Sequence, residues 1–413
     1  MSKPLSTRLL HSLLRSKALR ATAALGAGGL ALAGGNLILA RLLPEAEFAR
    51  FALIFSIIMI GISIGPIGAE VVLARRKFVP DAKLHRQVLI TSTLTAALLT
   101  VIGGVAYPLR PALLICLFLS IVAGGVKTVA VAHYRSHERF GFALMLTVST
   151  NASVLVASIL TLPLHADSAI WPAVAMLASL SLTAMLGWRA IAKAPAGTAT
   201  SAGYSWYEGW SAVSFSSAGA ILIALDRLVT PHLLGLAQVA TYSVLATIAG
   251  SPFQMLQLGV GYTLLPALRN TPSAERRRHL FLHEALVVGG TCLAASIAVW
   301  VATPFILAWV LPGRYHIGQP LLLAAIVVGT LKVLASLVAA TVNALGSSAQ
   351  LALLSVIGWI SIGVALLGAF VGARWGLTGV VYGVGLGWAF RAIVISLLAI
   401  PHLRSASINR EVK

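Results

Sequence analysis

Apolar residues run through this chain in long, nearly unbroken stretches. They follow neither the period-two alternation of a strand nor the one-sided stripe of a soluble helix. Twelve stretches stand out, near residues 21–40, 51–73, 88–107, 111–132, 142–163, 169–188, 209–226, 238–264, 284–310, 319–343, 350–371 and 377–400. Each approaches the ~20 residues that carry a helix across a ~30 Å hydrocarbon core. The pattern predicts an all-α membrane protein of twelve transmembrane helices. The first stretch follows basic residues, as a secretory signal would, but its length and the turn at Pro44 into a second span favour an uncleaved helix.

The polar residues between the stretches give a topology. Lysine and arginine concentrate in the N-terminal segment (Lys3, Arg8, Arg15, Lys17, Arg20), around Arg75–Lys77, Lys83 and Arg86, at Arg135 and Arg139, at Arg189 and Lys193, at Arg269 and Arg276–Arg278, and at Arg404, Arg410 and Lys413. The opposite loops hold only Arg41, Arg50, Arg110, Arg227, Arg314 and Arg374. By the positive-inside rule both termini are expected in the cytoplasm.

Composition agrees with this reading: 58% hydrophobic residues, 10% charged residues and a mean hydropathy of +0.93 lie outside the soluble range. A formal charge of +19 would suit nucleic acid, but the basic residues lie in the loops and form no aromatic-interleaved stripe, so no nucleic-acid partner is expected. Cys116 and Cys292 sit in separate apolar stretches without ligand spacing, and neither a metal site nor a cofactor is expected. The short outer loops offer no nucleophile–base arrangement, which argues against an enzyme.

Between the sixth and seventh stretches, APAGTATSAG from Ala194 reads as a small-residue linker. It suggests an N-terminal six-helix lobe over 1–193, a cytoplasmic linker over 194–208 and a C-terminal six-helix lobe over 209–413. An even number of spans per half makes the lobes parallel repeats. NLILARLL from Asn36 and FARFALIFS from Phe48 are echoed by ILIALDRL from Ile221 and VATYSVLA from Val239.

Three cations, Lys127, Lys332 and Arg391, fall inside apolar stretches that offer no carboxylate to pair with them. A charge near the centre of a spanning helix costs about 2.5–3.5 kcal/mol on insertion scales, so a reason is required. An anionic cargo crossing through the bundle supplies one. Lys332 shares a face with Gly329, Ser336, Ala339 and Asn343, and Arg391 continues the ridge Gly379, Gly383, Gly387. Small and polar neighbours mark protein-facing sides, so both read as lining a cavity, with bonding to backbone carbonyls as the plainer alternative. Lys127 lies close enough to its helix end to snorkel instead. Arg20 and Arg41 flank the first span and either guard the cavity mouths or meet headgroups. Glu70, Asp226 and Arg227 are candidates for ion coupling or for structural roles at span ends.

The stretch from Asp226 to Pro266, with DRL at Asp226, LG at Leu234, Tyr242-Ser243 and LLP at Leu264, resembles helices seven and eight of the polysaccharide-exporter branch of the multidrug/oligosaccharidyl-lipid/polysaccharide superfamily. LARLLPEAEFARFAL from Leu39 resembles that branch's first hairpin, and ERFG from Glu138, NALGSSAQ from Asn343 and WGLTG from Trp375 extend the resemblance over nearly the whole chain. Ala49 departs from it, since the family often has glycine there. Twelve spans also differ from the fourteen of the peptidoglycan-precursor branch.

The resemblance implies two lobes around a central cavity in a bacterial inner membrane. It implies flipping of a polyprenyl-pyrophosphate-linked oligosaccharide, as in O-antigen or exopolysaccharide synthesis, with lipid-linked oligosaccharide and membrane lipid as partners and a polysaccharide polymerase complex alongside. An ion-coupled multidrug exporter of the same superfamily is the alternative, and a membrane glycan polymerase or ligase ranks behind it. Drug export would want buried carboxylates, whereas every Asp and Glu is expected in a loop or near a span end.

Overall fold

In hydrocarbon a backbone N–H or C=O has no water to bond, so a spanning segment satisfies its polar groups internally. The computed structural model describes residues 17–76, 79–137, 139–164, 167–192 and 206–404, and every regular element among them is helical. The basic N-terminal residues before Lys17, Glu138, most of the 194–208 linker and the residues after Arg404 lie outside the described residues.

The chain divides into two units, each considered separately. One takes the chain up to Leu42 together with Ile57–Val213; the other takes Leu43–Ser56 together with Ser214 onward. The first unit holds α1 (Lys17–Leu42), the end of α2 (Glu45–Ile64), α3 (Ala69–Arg76), α4 (Ala82–Ala106), α5 (Pro111–Ser136), α6 (Phe140–Leu164) and α7 (Ile170–Ala192). Helix α1 packs along α6, while α5 lies against α3, α4 and α7. Asp81 caps α4 by accepting from the Leu84 amide at 2.7 Å, and Pro111 opens α5, where its missing N–H costs no helical bond. Buried polar groups bond across helices: Trp188 Nε1 donates to the Val126 carbonyl at 2.9 Å and the Tyr134 hydroxyl to that of Gly187 at 3.0 Å.

The second unit holds most of α8 (Trp206–Leu234), then α9 (Leu236–Leu245), a π-helical turn (Ala246–Gly250), α10 (Ser251–Arg269), α11 (Ala274–Val310), α12 (Gln319–Leu345), α13 (Ser348–Gly372), a 3₁₀ turn (Ala373–Trp375) and α14 (Gly376–Arg404). Helix α14 is its axis, packed on α12 and α13, and α10 lies against α12. At 37 residues α11 is about 55 Å long, more than a bilayer core requires. Its polar first turns, AERRRHLFLHE, account for the excess. Large side chains such as Val105 (86% exposed) and Trp309 (81%) stand outward, as hydrocarbon-facing positions do.

Among the described residues nine helical stretches are long and apolar enough to cross a membrane. Eight coincide with single expected spans, and the ninth, Ala349–Leu403, contains the eleventh and twelfth with only the 3₁₀ turn between them. The first span is met as the 17-residue apolar helix Gly26–Leu42, and the eighth is divided by the π turn at Ala246–Gly250. The second expected span, 51–73, is shorter than anticipated. Helix α2 stops at Ile64 and α3 begins at Ala69, with GPIG between. Gly68 takes a φ of +69°, and Pro66 removes an N–H from the ladder.

Helices in lipid gain little from burying apolar surface against one another, so their packing depends on close approach. Along α14, Gly379, Gly383 and Gly387 face α13. A Cβ at Gly383 would overlap the carbonyl of Gly368, which is backbone and cannot rotate away. Gly383→Ala is expected to lower stability in detergent by about 1–3 kcal/mol through overpacking. Gly363→Ala on α13, where a Cβ meets nothing within 4 Å, leaves the melting temperature unchanged or slightly raised. A thermal melt of the two variants compares them, and equal melting would exclude this contact as a determinant.

Candidate functional site

The strongest concentration of buried charge is assembled within the second unit, from α8, α9, α12 and α14. Asp226 on α8 is 1% exposed, well inside a helix that continues to Leu234 through Pro231. Proline at 231 removes the helical N–H that the Arg227 carbonyl would accept, and the Thr230 hydroxyl donates separately to the Asp226 carbonyl at 2.5 Å. The Asp226 carboxylate turns toward α9 and α12. Its Oδ2 accepts the hydroxyl of Tyr242 and lies 3.5 Å from Lys332 Nζ. Its Oδ1 is buried with no hydrogen-bond partner.

Two expectations are corrected here. Lys332 has a carboxylate partner, and Asp226 is a buried intrahelical acid rather than a span-end residue. The seventh stretch ends at Asp226 by hydropathy because Asp226-Arg227 and His232 depress the local average, whereas the helix runs on for two more turns.

Arg391 on α14 is 5% exposed and has no ion-pair partner within the salt-bridge distance among the described residues. Its guanidinium carbon stands 5.4 Å from the Phe215 ring centroid and 5.7 Å from that of Trp388, and its Nη1 is buried without a hydrogen-bond partner. Lys332 Nζ lies 5.7 Å from the same indole. Trp388, itself 2% exposed, therefore stands beside both cations, offering its electron-rich face where water is scarce. Gly219 on α8 lies beside the guanidinium, where a Cβ would stand 3.8 Å from Nη1 in ordinary van der Waals contact. On the same helix Ser214 meets the Ser355 hydroxyl at 2.5 Å and accepts from Trp359 Nε1 at 3.1 Å. With one carboxylate and two cations, the cluster holds more basic than acidic side chains.

Three positions were not singled out from the sequence as part of this group. Trp388 precedes Arg391 by three residues, a spacing that places both on one helix face and could have signalled the pairing. Tyr242 belongs to the Tyr242-Ser243 motif, whose sequence gives no sign of a carboxylate partner. Phe215 carries no sequence signal, because its relation to Arg391 arises only from the packing of α8 with α14.

The other predicted residues lie elsewhere. Lys127, in the first unit, turns inward rather than snorkelling: it is buried, and its Nζ donates to Thr150 Oγ1 on α6. Arg41 is exposed in the last turn of α1, and the side chain of Arg20 lies outside the described residues. Glu70, half-buried in the first turn of α3, has an Oε2 without a hydrogen-bond partner. Arg227, beside Asp226 on α8, reaches Ser56 Oγ with its Nη1 at 3.4 Å, within the second unit. Among the described residues no three His, Cys, Asp or Glu side chains gather as metal ligands.

No family model matches the chain, and no curated protein matches it. Solved structures do. An inward-facing multidrug-resistance MATE transporter superposes with a TM-score of 0.64 at 15% identity, covering 91% of this chain and 94% of that one. The lipid II flippase MurJ, inward closed, gives 0.64 at 11% identity, covering 92% and 91%. The MATE multidrug transporter DinF-BH gives 0.60 at 17%, covering 97% of each. The chain shares the fold of these solved structures. These neighbours are transporters and a flippase, and the many apolar helices agree with a multi-pass membrane protein.

Removing one partner of a buried ion pair leaves the other charge uncompensated. Lys332→Ala is therefore expected to destabilise the protein by about 3 kcal/mol, and Lys332→Gln with Asp226→Asn to recover most of that loss. Denaturation of the single and double variants in one detergent tests the coupling. Additive losses would show that the pair carries no stabilising interaction.

Proposed function

We propose that this protein moves a polyprenyl-pyrophosphate-linked oligosaccharide from the inner to the outer leaflet of a bacterial inner membrane, for surface polysaccharide synthesis. Two six-helix lobes, 1–193 and 209–413, joined by the 194–208 linker, alternate access to a central cavity, and both termini lie in the cytoplasm. A polysaccharide polymerase complex receives the product.

The observation that carries this reading is Arg391. A buried guanidinium with an unpartnered Nη1 and only aromatic rings for company is suited to a strong acceptor, because Arg presents a planar fork of donors that matches phosphate oxygens. Lys332 adds a second cation beside the same indole. With screening by water weak, two nearby positive charges hold a pyrophosphate far more firmly than they would at a surface. The lipid tail can remain in hydrocarbon while the sugars follow a wet path.

A second reading is favoured by one specific observation. Asp226 is the kind of buried carboxylate that export of cationic drugs requires, and several structural neighbours are multidrug transporters. The excess of cations over acids in the cluster weighs toward the anionic cargo.

The decisive experiment measures the sidedness of lipid-linked oligosaccharide in right-side-out and inverted vesicles, with an impermeant glycan probe, from cells with and without the protein. The intermediate is expected to accumulate on the cytoplasmic face without it and to clear on re-expression. Arg391→Ala, expressed to the same level, is expected to slow clearance by about 10- to 100-fold, the loss of a charge-assisted contact, and Arg391→Lys to be intermediate. Normal sidedness in the deletion, together with new sensitivity to cationic dyes, would favour drug export instead.

A further inference from the structure

The Asp226–Lys332 pair is unequal in three ways. Asp226 is 1% exposed, whereas the Lys332 side chain is 19% exposed, so an incoming anion meets the lysine and not the acid. The pair is loose: at 3.5 Å the ammonium sits at the outer edge of hydrogen-bonding distance, on a flexible four-carbon stem with further donors to offer. The acid is also incompletely served. Tyr242 and Lys332 both approach Oδ2, and Oδ1 is buried with no hydrogen-bond partner.

We propose that Lys332 is a counterion shared between Asp226 and the anionic cargo, so that capture of a phosphate group by Lys332 obliges Asp226 to take up a proton on Oδ1. This rests on the anionic-cargo reading above and adds to it the link between cargo and proton. The charged and titratable groups around Asp226 are few. Among the described residues they are Tyr242 from α9, Lys332 from α12, Arg227 beside it on α8, whose Nη1 is directed to Ser56, and Arg391 from α14, beside the same Trp388 indole as Lys332. When Lys332 turns to a phosphate oxygen, only the neutral Tyr242 hydroxyl remains hydrogen-bonded to the carboxylate. A bare carboxylate in that environment is strongly disfavoured, and neutralisation is the ordinary response of a buried acid that loses its partner. Oδ1 has room in its bonding for the proton. A carboxylate and one hydroxyl supply too few oxygens to coordinate an alkali cation well, and the neighbouring ammonium repels one.

The consequence is cooperative: cargo and proton bind to the same state of the protein instead of competing for it. Linkage then requires that the anion bind more tightly as pH falls.

The test uses the purified full-length protein in lipid nanodiscs, with farnesyl pyrophosphate as probe. Calorimetric titration in buffers of different ionisation enthalpy counts the protons taken up on binding. Wild type is expected to take up about one proton more per pyrophosphate than Asp226→Asn, because any protonation of the probe itself is common to both. Its affinity should rise with falling pH by up to about tenfold per unit more than that of the variant. Infrared difference spectra need no variant at Asp226: binding to wild type should raise a carboxylic-acid C=O band, and Lys332→Gln should show that band before the probe is added. Binding with equal proton uptake and no new band overturns the shared counterion while leaving the anionic cargo standing. An absolute requirement for sodium overturns the proton. Failure to bind the probe at any pH overturns both the inference and the cargo on which it rests.

Discussion

Hydrocarbon offers neither water for a backbone group nor a counterion for a charge, and both levels of this structure follow from that one constraint. At the level of the chain it requires helices and brings them into contact through small residues, as where Gly383 lies against the Gly368 carbonyl. At the level of the site it requires that each buried charge be answered from within the protein. Asp226 and Lys332 answer each other, Lys127 turns to a threonine hydroxyl, and Arg391 is met by two aromatic faces. These three solutions are unequal. The first is a charge pair and the second a neutral hydrogen bond, while the third leaves guanidinium donor capacity unused.

The sequence was most informative where this constraint acts locally. Long apolar runs announced helices, and the ridge Gly379, Gly383, Gly387 announced a packing face, because both are properties of adjacent turns. It was less informative where local signals conflict. The low hydropathy around Asp226-Arg227 reads as a span end, yet α8 continues past Pro231 with Thr230 bonding the carbonyl of Asp226. A run that is apolar on both sides of GPIG reads as one helix, yet Pro66 and the positive φ of Gly68 break it. The pairing of Asp226 with Lys332 was out of reach for a different reason. It joins two helices far apart in the chain, and no residue spacing encodes which buried acid meets which buried base.

That pairing alters the weight of the competing functions. An interior of unpaired cations would have left no acid for a cationic substrate. The Asp226 cluster has one carboxylate among two cations, a composition that an exporter of cations could use only by first displacing Lys332 from Asp226. An anionic substrate needs no such displacement of Arg391, whose Nη1 lacks a partner already.

The two cations also differ in kind, and the difference matches their surroundings. Arg391 is gripped by Phe215 and Trp388, and its planar fork keeps its donors in fixed directions, so it is suited to holding a group in place. Lys332 is a point charge on a flexible stem, more exposed than its acidic partner and held to it only at 3.5 Å. A lysine can be drawn from one acceptor to another with little reorganisation of the helices, whereas an arginine in the same place would bind the carboxylate with two parallel bonds and resist exchange. Pairing a fixed arginine with a movable lysine beside one indole therefore separates two tasks. In the proposed mechanism one cation retains the anion, and the other reports its arrival to a buried acid.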